Sequence, residues 1–251
     1  MKQSLIQVYW VALPDENPLE QIRHRSDLLD PEEMTTFQRY RVPFKKVEFL
    51  TGRVLIKELL GRVLRIPAER VRLRKNDYGK LFVHHALLPP EYQRAISFNL
   101  SHTDGMVVCV LALEEEAGID VEKIAGDHLN VMPQVFTPAE IDYVEAMDRP
   151  DRKQEAFYRI WTRKEAVMKA EGMGFSLPPL SFSVPLMEQP EEDETYSFDT
   201  FQPLRSYLVS VAIKKDMPAK RLFFKHNIDF STLFEKGIRS GQYKEASYPN
   251  L

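Results

Sequence analysis

The sequence predicts an α+β protein of two similar lobes, each with a long helix packed on a small antiparallel sheet. Two observations support this prediction. The first half of the chain has a helical stripe of apolar residues over 44–63, followed by short runs typical of strands. The second half also has a long helical segment, at 153–171, with strand-like runs after it. We therefore expect an N-terminal lobe over residues 1–114 and a C-terminal lobe over residues 115–251.

Helix signals in the first half are clear. Asp30-Pro31-Glu32-Glu33 combines an N-cap, a proline in the first turn and an acidic residue three positions after the cap, so a helix should begin there. A second helix, over 44–63, has apolar residues spaced to bury one face, namely Val47, Leu50, Val54, Leu55, Leu59 and Leu60. Predicted strands follow at 70–73, 80–83, 95–100 and 106–113.

The second half opens with a strand-like run at 117–122. Thr137-Pro138-Ala139-Glu140 repeats the cap pattern and predicts a helix near 138–147. The remaining predicted elements are the helix at 153–171 and strands at 180–184 and 206–213. After Lys214 we expect part of the chain to pack back on the body and the last ten residues to fray.

Composition excludes several classes of protein. The 251 residues are 43% hydrophobic and 28% charged, which is typical of soluble globular proteins. The formal net charge of -3 argues against binding to duplex DNA through many phosphates, so we expect no nucleic-acid partner. A single cysteine, Cys109, excludes a disulfide framework and favours the reducing cytoplasm. The longest apolar run, 106–113, is too short to span a membrane, and no membrane partner is expected.

Asp120 and Glu122 are the first candidate site residues. Residues two apart on a strand face the same side, so both carboxylates share one surface. Closely spaced oxygen ligands suit a hard cation such as Mg²⁺. The alternative is a chance Asp-x-Glu pair on an exposed strand edge.

Glu165 is a third candidate. On the predicted helix, Trp161 lies one turn before it and Lys169 one turn after it, at the border of the buried stripe. A carboxylate at such a border is costly unless it is partnered. The alternative is an ordinary surface pair between Glu165 and Lys169.

Ser101-His102-Thr103 lies at a predicted strand end, beside a turn, where it could receive phosphate oxygens. A histidine-based zinc site is not supported, because no second histidine has the required spacing. A serine hydrolase is also not supported, because there is no nucleophile elbow and neighbouring strand residues point to opposite faces. A phosphate-binding P-loop and a dinucleotide fingerprint are absent from the sequence as well.

Taken together, these motifs resemble the signature series of the Sfp-type 4'-phosphopantetheinyl transferases. The resemblance extends from about residue 30 to 213, and the order and spacing of the motifs agree with that family. The motifs are FNLSHT at 98–103, GIDVE at 118–122 and WTRKEAVMK at 161–169, with DYGK at 77–80 and GMGFSLP at 172–178.

The resemblance implies an enzyme that transfers the phosphopantetheine arm of coenzyme A to a serine of an apo acyl or peptidyl carrier protein, with release of 3',5'-ADP. It implies a pseudodimer of two lobes that holds coenzyme A and Mg²⁺ between them. By matching position, Asp120, Glu122 and Glu165 would be metal ligands. The residues expected to meet coenzyme A are Arg53, Lys80, Ser101, His102 and Lys169. Lys169 and His102 would act catalytically with Glu165, our candidate general base, directly or through a metal-bound water.

Two departures from the family pattern matter. Family members commonly have proline after the Gly-Lys pair, but Leu81 follows Lys80 here. The short helix that often supplies lysines for the 3'-phosphate instead reads EEMTT at 32–36. That phosphate must then rely on another cation, and the sequence does not choose among Arg39, Arg41, Lys45, Lys46 and Arg53.

The sequence is also compatible with two other hypotheses. One is a non-catalytic module of the same fold that binds coenzyme A or a carrier protein, and another is a different Mg²⁺-dependent phosphotransferase. The apolar stretch 129–136 could contact a carrier helix or pack in the core. Because two fused lobes can complete a site within one chain, we expect a monomer.

Overall fold

Two 22-residue helices, one in each half of the chain, organise the fold. The structure is a computed structural model that describes residues 2–84, 96–126, 128–189, 192–216 and 218–238. The helices are α1 (Leu19–Ile22), α2 (Pro31–Arg39), α3 (Pro43–Leu64), α4 (Met132–Val135), α5 (Pro138–Glu145), α6 (Pro150–Glu171) and α7 (Phe230–Lys236). The strands are β1 (Lys2–Ala12), β2 (Leu73–Lys75), β3 (Leu81–Val83), β4 (Ile96–Thr103), β5 (Met106–Leu113), β6 (Ala117–Lys123), β7 (Tyr196–Phe201), β8 (Tyr207–Lys214) and β9 (Ala219–Asn227).

The predicted start of α2 is confirmed. The Asp30 Oδ1 atom accepts hydrogen bonds from the backbone N–H groups of Glu32 and Glu33, at 3.0 and 2.9 Å. In return, Glu33 Oε2 accepts the Asp30 N–H at 3.0 Å. This reciprocal capping box satisfies donors that a helix start otherwise leaves unpaired.

The apolar stripe of α3 is also confirmed. All six of its predicted residues are buried, with at most 4% exposure. They form the first core together with residues of β1, β5 and α7. A second core surrounds α6 and includes Met132, Val135 and Phe136. Three apolar side chains of the stretch 129–136 are therefore packed in the core of the protein.

The strands form two main sheets and a small two-stranded sheet of β2 and β3. The first main sheet has the order β4-β5-β1-β9, and the second has the order β6-β8-β7. All pairs in the main sheets are antiparallel except β1 with β9, which run parallel from Lys2 opposite Ala219 to Trp10 opposite Asn227. The fold class is the predicted α+β arrangement, with this one parallel pair as an addition.

Strand β9 returns the chain to the first sheet. Residues after Lys214 pack back on the body, as expected, while the last ten lie outside the described residues. The second lobe was expected to include the whole of 115–251, whereas β9 pairs with β1 in the first sheet. Because this pairing joins segments that are far apart in the sequence, no local sequence pattern predicts it. The division after residue 114 stays a prediction.

The predicted strand at 180–184 is wrong. Pro179–Ser181 forms a 3-10 turn instead. The ammonium group of Lys164 in α6 donates to the carbonyl oxygens of Pro179 and Phe182, at 2.7 and 2.6 Å. These carbonyls therefore bond to a buried side chain rather than to a neighbouring strand.

The two main sheets meet along β4 and β6, which are edge strands. Ser97 Oγ accepts the Ala117 N–H at 3.1 Å, and Ser101 Oγ donates to Asp120 Oδ1 at 3.0 Å. A third core of apolar side chains from β1, β5, β6 and β8 lies between the sheets. The side chains of β4 thus fix the position of β6 and of the candidate site residues on it.

None of the described helices is long and apolar enough to cross a membrane.

Candidate active site

The close packing of α6 on β6 determines the geometry of the site. A Cβ atom built on Gly118 would lie 2.0 Å from the backbone oxygen of Ala166 and 2.4 Å from the backbone nitrogen of Ala170. Such distances are well inside van der Waals contact, so only glycine fits here. The packing brings the last turns of α6 against the face of β6 that carries Asp120.

Asp120 lies at the centre of the site and is only 3% exposed. Its Oδ1 atom accepts hydrogen bonds from Ser101 Oγ at 3.0 Å and from the Lys169 ammonium group at 2.6 Å. Lys169 also donates to Ser101 Oγ at 2.8 Å. Among the described residues, the buried Oδ2 atom of Asp120 has no hydrogen-bond partner. One carboxylate oxygen is therefore held in place, and the other is buried without a partner among the described residues.

Glu122 lies two residues along the same strand. Its Oε1 atom accepts a hydrogen bond from the indole nitrogen of Trp161 at 3.1 Å. Burial and the charge of Asp120 raise the pKa of Glu122, while the Trp161 bond and the charge of Lys169 act in the opposite direction. The motif tryptophan thus orients a carboxylate across the gap between helix and strand.

Glu165 completes the group of acidic side chains, which we call the carboxylate cluster: Asp120, Glu122 and Glu165. Burial, followed by the charge of Asp120, raises the pKa of Glu165 to about 7; Glu122 adds to this effect and Lys169 opposes it. A carboxyl group with such a pKa exchanges its proton near neutral pH. Strongly shifted pKa values of this kind are common at catalytic sites.

The carboxylates interact electrostatically but do not form a finished metal site. In the part of the chain that the structure describes, no three His, Cys, Asp or Glu side chains lie close enough together to hold a metal ion as they stand. The charge of Asp120 nevertheless raises the pKa of both Glu122 and Glu165. The oxygen donors and the unpartnered Oδ2 atom are those that a hard cation prefers.

Lys80 and Lys169 line one cavity of about 210 Å³, together with Tyr78, Asn99, Met168 and Gly172. The Lys80 ammonium group donates to Glu116 Oε2 at 2.8 Å and to the Ala170 carbonyl at 2.6 Å. A cavity of about 390 Å³ also includes Lys80 in its wall. The structure therefore joins two of the predicted coenzyme A residues in one concave surface beside the carboxylate cluster.

His102 and Arg53 are placed apart from this cluster. His102 follows Ser101 in β4, and its Nδ1 atom lies 2.9 Å from Glu48 Oε2 of α3. Arg53 Nε forms an ion pair with Glu33 Oε1 at 3.0 Å, and its side chain is only 11% exposed. In this arrangement Arg53 is largely neutralised by Glu33, so its expected contact with coenzyme A stays a prediction.

Several residues of the helix motif serve the fold rather than the site. Lys164 pairs with Glu140 at 2.9 Å, and both side chains are almost fully buried. Arg163 donates to the carbonyl oxygens of Pro185 and Met187, at 2.7 and 2.8 Å. These roles were not predicted from the sequence, nor were those of Gly118 and Glu48. Gly118 lies inside the GIDVE motif, whereas nothing near Glu48 in the sequence distinguishes it.

Comparisons with known proteins agree with the motif analysis. Residues 116–214 match the family model of the 4'-phosphopantetheinyl transferase superfamily, and residues 16–115 match a model of the N-terminal part of 4'-phosphopantetheinyl transferase. The gsp 4'-phosphopantetheinyl transferase of Aneurinibacillus migulanus is 32% identical over 179 residues, covering 71% of this chain and 70% of that protein. The Sfp 4'-phosphopantetheinyl transferase of Bacillus subtilis strain 168 is 26% identical over 221 residues, covering 85% and 95%.

Among solved structures, the Helicobacter pylori holo-acyl-carrier-protein synthase in complex with coenzyme A is 16% identical, with a TM-score of 0.30. The match covers 43% of this chain and 98% of that one.

Proposed function

Because this chain belongs to the 4'-phosphopantetheinyl transferase superfamily, we propose that the carboxylate cluster and the adjoining cavity are its active site. The enzyme is a 4'-phosphopantetheinyl transferase. It moves the 4'-phosphopantetheine arm of coenzyme A to a serine of an apo acyl or peptidyl carrier protein. The serine oxygen bonds to the phosphorus next to the pantetheine, the bond from that phosphorus to the bridging oxygen breaks, and 3',5'-ADP leaves.

One observation carries the assignment of this site. The carboxylate of Asp120 is buried, with one oxygen bonded to Ser101 and Lys169 and the other without a partner among the described residues. A buried charged group with an unsatisfied oxygen is costly to the fold. Within the described ranges, Asp199 has an unpartnered buried oxygen too, but its charged neighbours are Lys225 and Arg163. Asp120 instead lies beside two further carboxylates whose pKa its charge raises. This combination is expected where a bound cation supplies the missing interaction.

The cations have a role that follows from the reaction. Phosphate transfer builds negative charge on the transferred and leaving groups, and fixed positive charge stabilises it. Lys169, beside Asp120, and Lys80, in the same cavity wall, would bind those phosphate oxygens. Ser101, already bonded to Lys169, would orient the lysine toward them.

Glu165 would accept the proton of the carrier serine. Without metal, burial and neighbouring charge raise the pKa of Glu165 to about 7. Bound Mg²⁺ would lower that pKa, so the carboxylate would be ionised and able to accept a proton at the working pH. Glu122 is the less suitable base because Trp161 already bonds to its carboxylate.

Mg²⁺ is the cation that the donor set fits. Asp120, Glu122 and Glu165 would hold it, and the unpartnered Oδ2 atom of Asp120 supports that fit. When bound, the ion would neutralise charge on the phosphate oxygens. Lys169 would still keep Asp120 oriented through Oδ1.

The alternative of a non-catalytic binding module is disfavoured. The relatives gsp and Sfp are both named as transferases. A different phosphotransferase would accept other pyrophosphate donors, so a panel of donors separates that reading from ours. A cytoplasmic monomer stays our expectation.

The test is the intact mass of an apo carrier protein after incubation with the enzyme, coenzyme A and Mg²⁺. We expect a gain of one phosphopantetheine group that EDTA abolishes and that Glu165→Gln reduces by about 100-fold or more. Glu155→Gln is a matched control on the same helix, because Glu155 pairs with Arg159 away from the cluster. If no carrier type gains mass while coenzyme A still binds, the binding-module reading replaces ours.

A further inference from the structure

Glu48 of α3 is a buried carboxylate that the proposed mechanism does not use. Its side chain is only 3% exposed. Its Oε2 atom lies 2.9 Å from His102 Nδ1, and the Lys45 ammonium group donates to both of its oxygens, at 3.0 and 2.8 Å. One buried carboxylate therefore holds two basic side chains that come from different elements.

The carboxylate of Glu48 is ionised at neutral pH. Burial alone would raise its pKa, but the hydrogen bonds from His102 and Lys45 outweigh burial and lower it. An ionised carboxylate can only accept hydrogen bonds, so the Nδ1 atom of His102 carries the hydrogen in this contact. The contact fixes both the orientation of the ring and the nitrogen that points away from the helix.

The two partners of Glu48 reach solvent although Glu48 does not. The side chains of His102 and Lys45 are 48% and 47% exposed. An exposed lysine or histidine otherwise samples many rotamers, and ordering it on a ligand costs free energy. Anchoring both to one buried group removes much of that cost before a ligand arrives.

The position of His102 connects the group formed by Glu48, His102 and Lys45 to the active site. Consecutive residues of a strand point to opposite faces. Ser101 points toward Asp120 and Lys169, and His102 points toward α3. Strand β4 therefore presents a hydroxyl on one face and an imidazole on the other, at the same end of the strand. Coenzyme A has phosphate groups at separate positions, so one molecule can use both faces.

We propose that Glu48 is a positioning residue that holds His102 and Lys45 together as a phosphate-binding pair for coenzyme A. The proposal rests on the function proposed above. The pair would bind a phosphate that does not react, while the Asp120 and Lys169 side handles the phosphate that is transferred. Its contribution is therefore to substrate binding rather than to the chemical step. The proposal thus gives His102 a binding role in place of the catalytic role that the family resemblance implied.

The test is Glu48→Gln, which keeps the shape of the side chain and removes its charge. We expect the KM for coenzyme A to rise about tenfold while kcat changes less than about twofold, the pattern of lost ground-state binding. Glu58→Gln is the matched control, because Glu58 lies on the same helix and forms an ion pair with Arg25. The control should leave KM unchanged.

A double-mutant cycle identifies the route of the effect. If Glu48 acts through His102, the KM increases of Glu48→Gln and His102→Ala will not add in the double variant. Fully additive effects, or an unchanged KM in Glu48→Gln, would overturn the proposal. A purely structural role would lower Tm in Glu48→Gln without changing KM. Should that variant not fold, Lys45→Met, at a half-exposed position, must give a similar rise in KM.

The Kd for coenzyme A, measured by calorimetry, separates this proposal from the proposed function. A wild-type protein that binds coenzyme A without transferring it contradicts the proposed function only. The ratio of Kd values between Glu48→Gln and the wild type still tests the role of Glu48, with about a tenfold weakening expected and equal affinity contradicting it.

Discussion

Gly118 and Ala166 lie so close together that no side chain fits between them: a Cβ on Gly118 would come within 2.0 Å of the Ala166 carbonyl oxygen. This contact fixes the spacing between β6, which bears Asp120 and Glu122, and α6, which bears Glu165 and Lys169. The geometry of the active site thus depends on a residue that has no chemistry of its own.

Gly118→Ala should therefore affect both folding and activity. The helix must move away from the strand, which we expect to cost about 1–3 kcal/mol of unfolding free energy, as overpacking usually does. Because Lys169 and Glu165 move with the helix, away from Asp120 and Glu122 on β6, kcat/KM should fall at least about tenfold. Urea denaturation and a transfer assay measure the two effects.

Gly52→Ala is the control for that prediction. A Cβ on Gly52 would meet only ordinary contacts, at 3.8 and 4.0 Å. Because alanine favours helix over glycine by up to about 1 kcal/mol, this variant should be as stable as the wild type or more so. Equal behaviour of the two alanine variants would refute the role assigned to Gly118.

The raised pKa of Glu165 predicts how stability depends on pH in the absence of metal. Its pKa is about 7 in the folded protein against an ordinary value of 4.5. Between these values the folded chain holds a proton that the unfolded chain has lost, so the free energy of unfolding falls as pH rises. Glu165→Gln should flatten this fall. Urea denaturation in EDTA at a series of pH values tests it, and an unchanged slope in the variant would contradict the assignment.

Mg²⁺ should raise the Tm of the wild-type protein if the carboxylate cluster binds it as proposed, because a ligand of the folded state alone stabilises that state. Asp120→Asn should abolish that rise and reduce transfer about 100-fold or more. Asp199→Asn is a suitable control because Asp199 is also buried and also pairs with a lysine. Its partner is Lys225 of β9, at 2.8 Å. The Asp199→Asn variant should keep the response to Mg²⁺. A Tm rise that survives Asp120→Asn would place the metal elsewhere.

Two lysines of α6, five residues apart, should separate folding from catalysis. Lys164→Met leaves the buried carboxylate of Glu140 without its cation and should cost about 3–5 kcal/mol of unfolding free energy. Lys169→Met, at a side chain that is 28% exposed, should cost less stability and reduce kcat about 100-fold or more. The free energy of unfolding and kcat should be measured for both variants. A Lys164→Met variant that is inactive but fully stable would contradict the structural role of Lys164.

Much of the fold could be predicted because its signals are local. The Asp30 cap and the apolar stripe of α3 each depend on residues within a few turns, and both are confirmed. Two features depend on residues that are far apart in the sequence: the pairing of β9 with β1, and the absence of the predicted strand at 180–184. A single sequence does not show which distant residues meet. In the second case the buried Lys164 donates hydrogen bonds to two carbonyl oxygens that would otherwise have bonded to a neighbouring strand.

The candidate site shows the same division. Asp120 and Glu122 could be paired from the two-residue repeat of a strand, and Glu165 and Lys169 from the turn of a helix. The sequence could not indicate that His102 would bond to Glu48, because that contact joins two elements that are far apart along the chain. Specific hydrogen bonds across elements become visible only once the packing is known.

The parallel pair of β1 and β9 has a consequence for synthesis of the protein. Ribosomes extend the chain from its amino end, so β1 is made long before β9 can lie beside it. Until then, one edge of β1 has backbone groups available to strands of other molecules, which is a known route to aggregation. Nascent chains that stop short of β9 should therefore depend on chaperones more than the finished protein does.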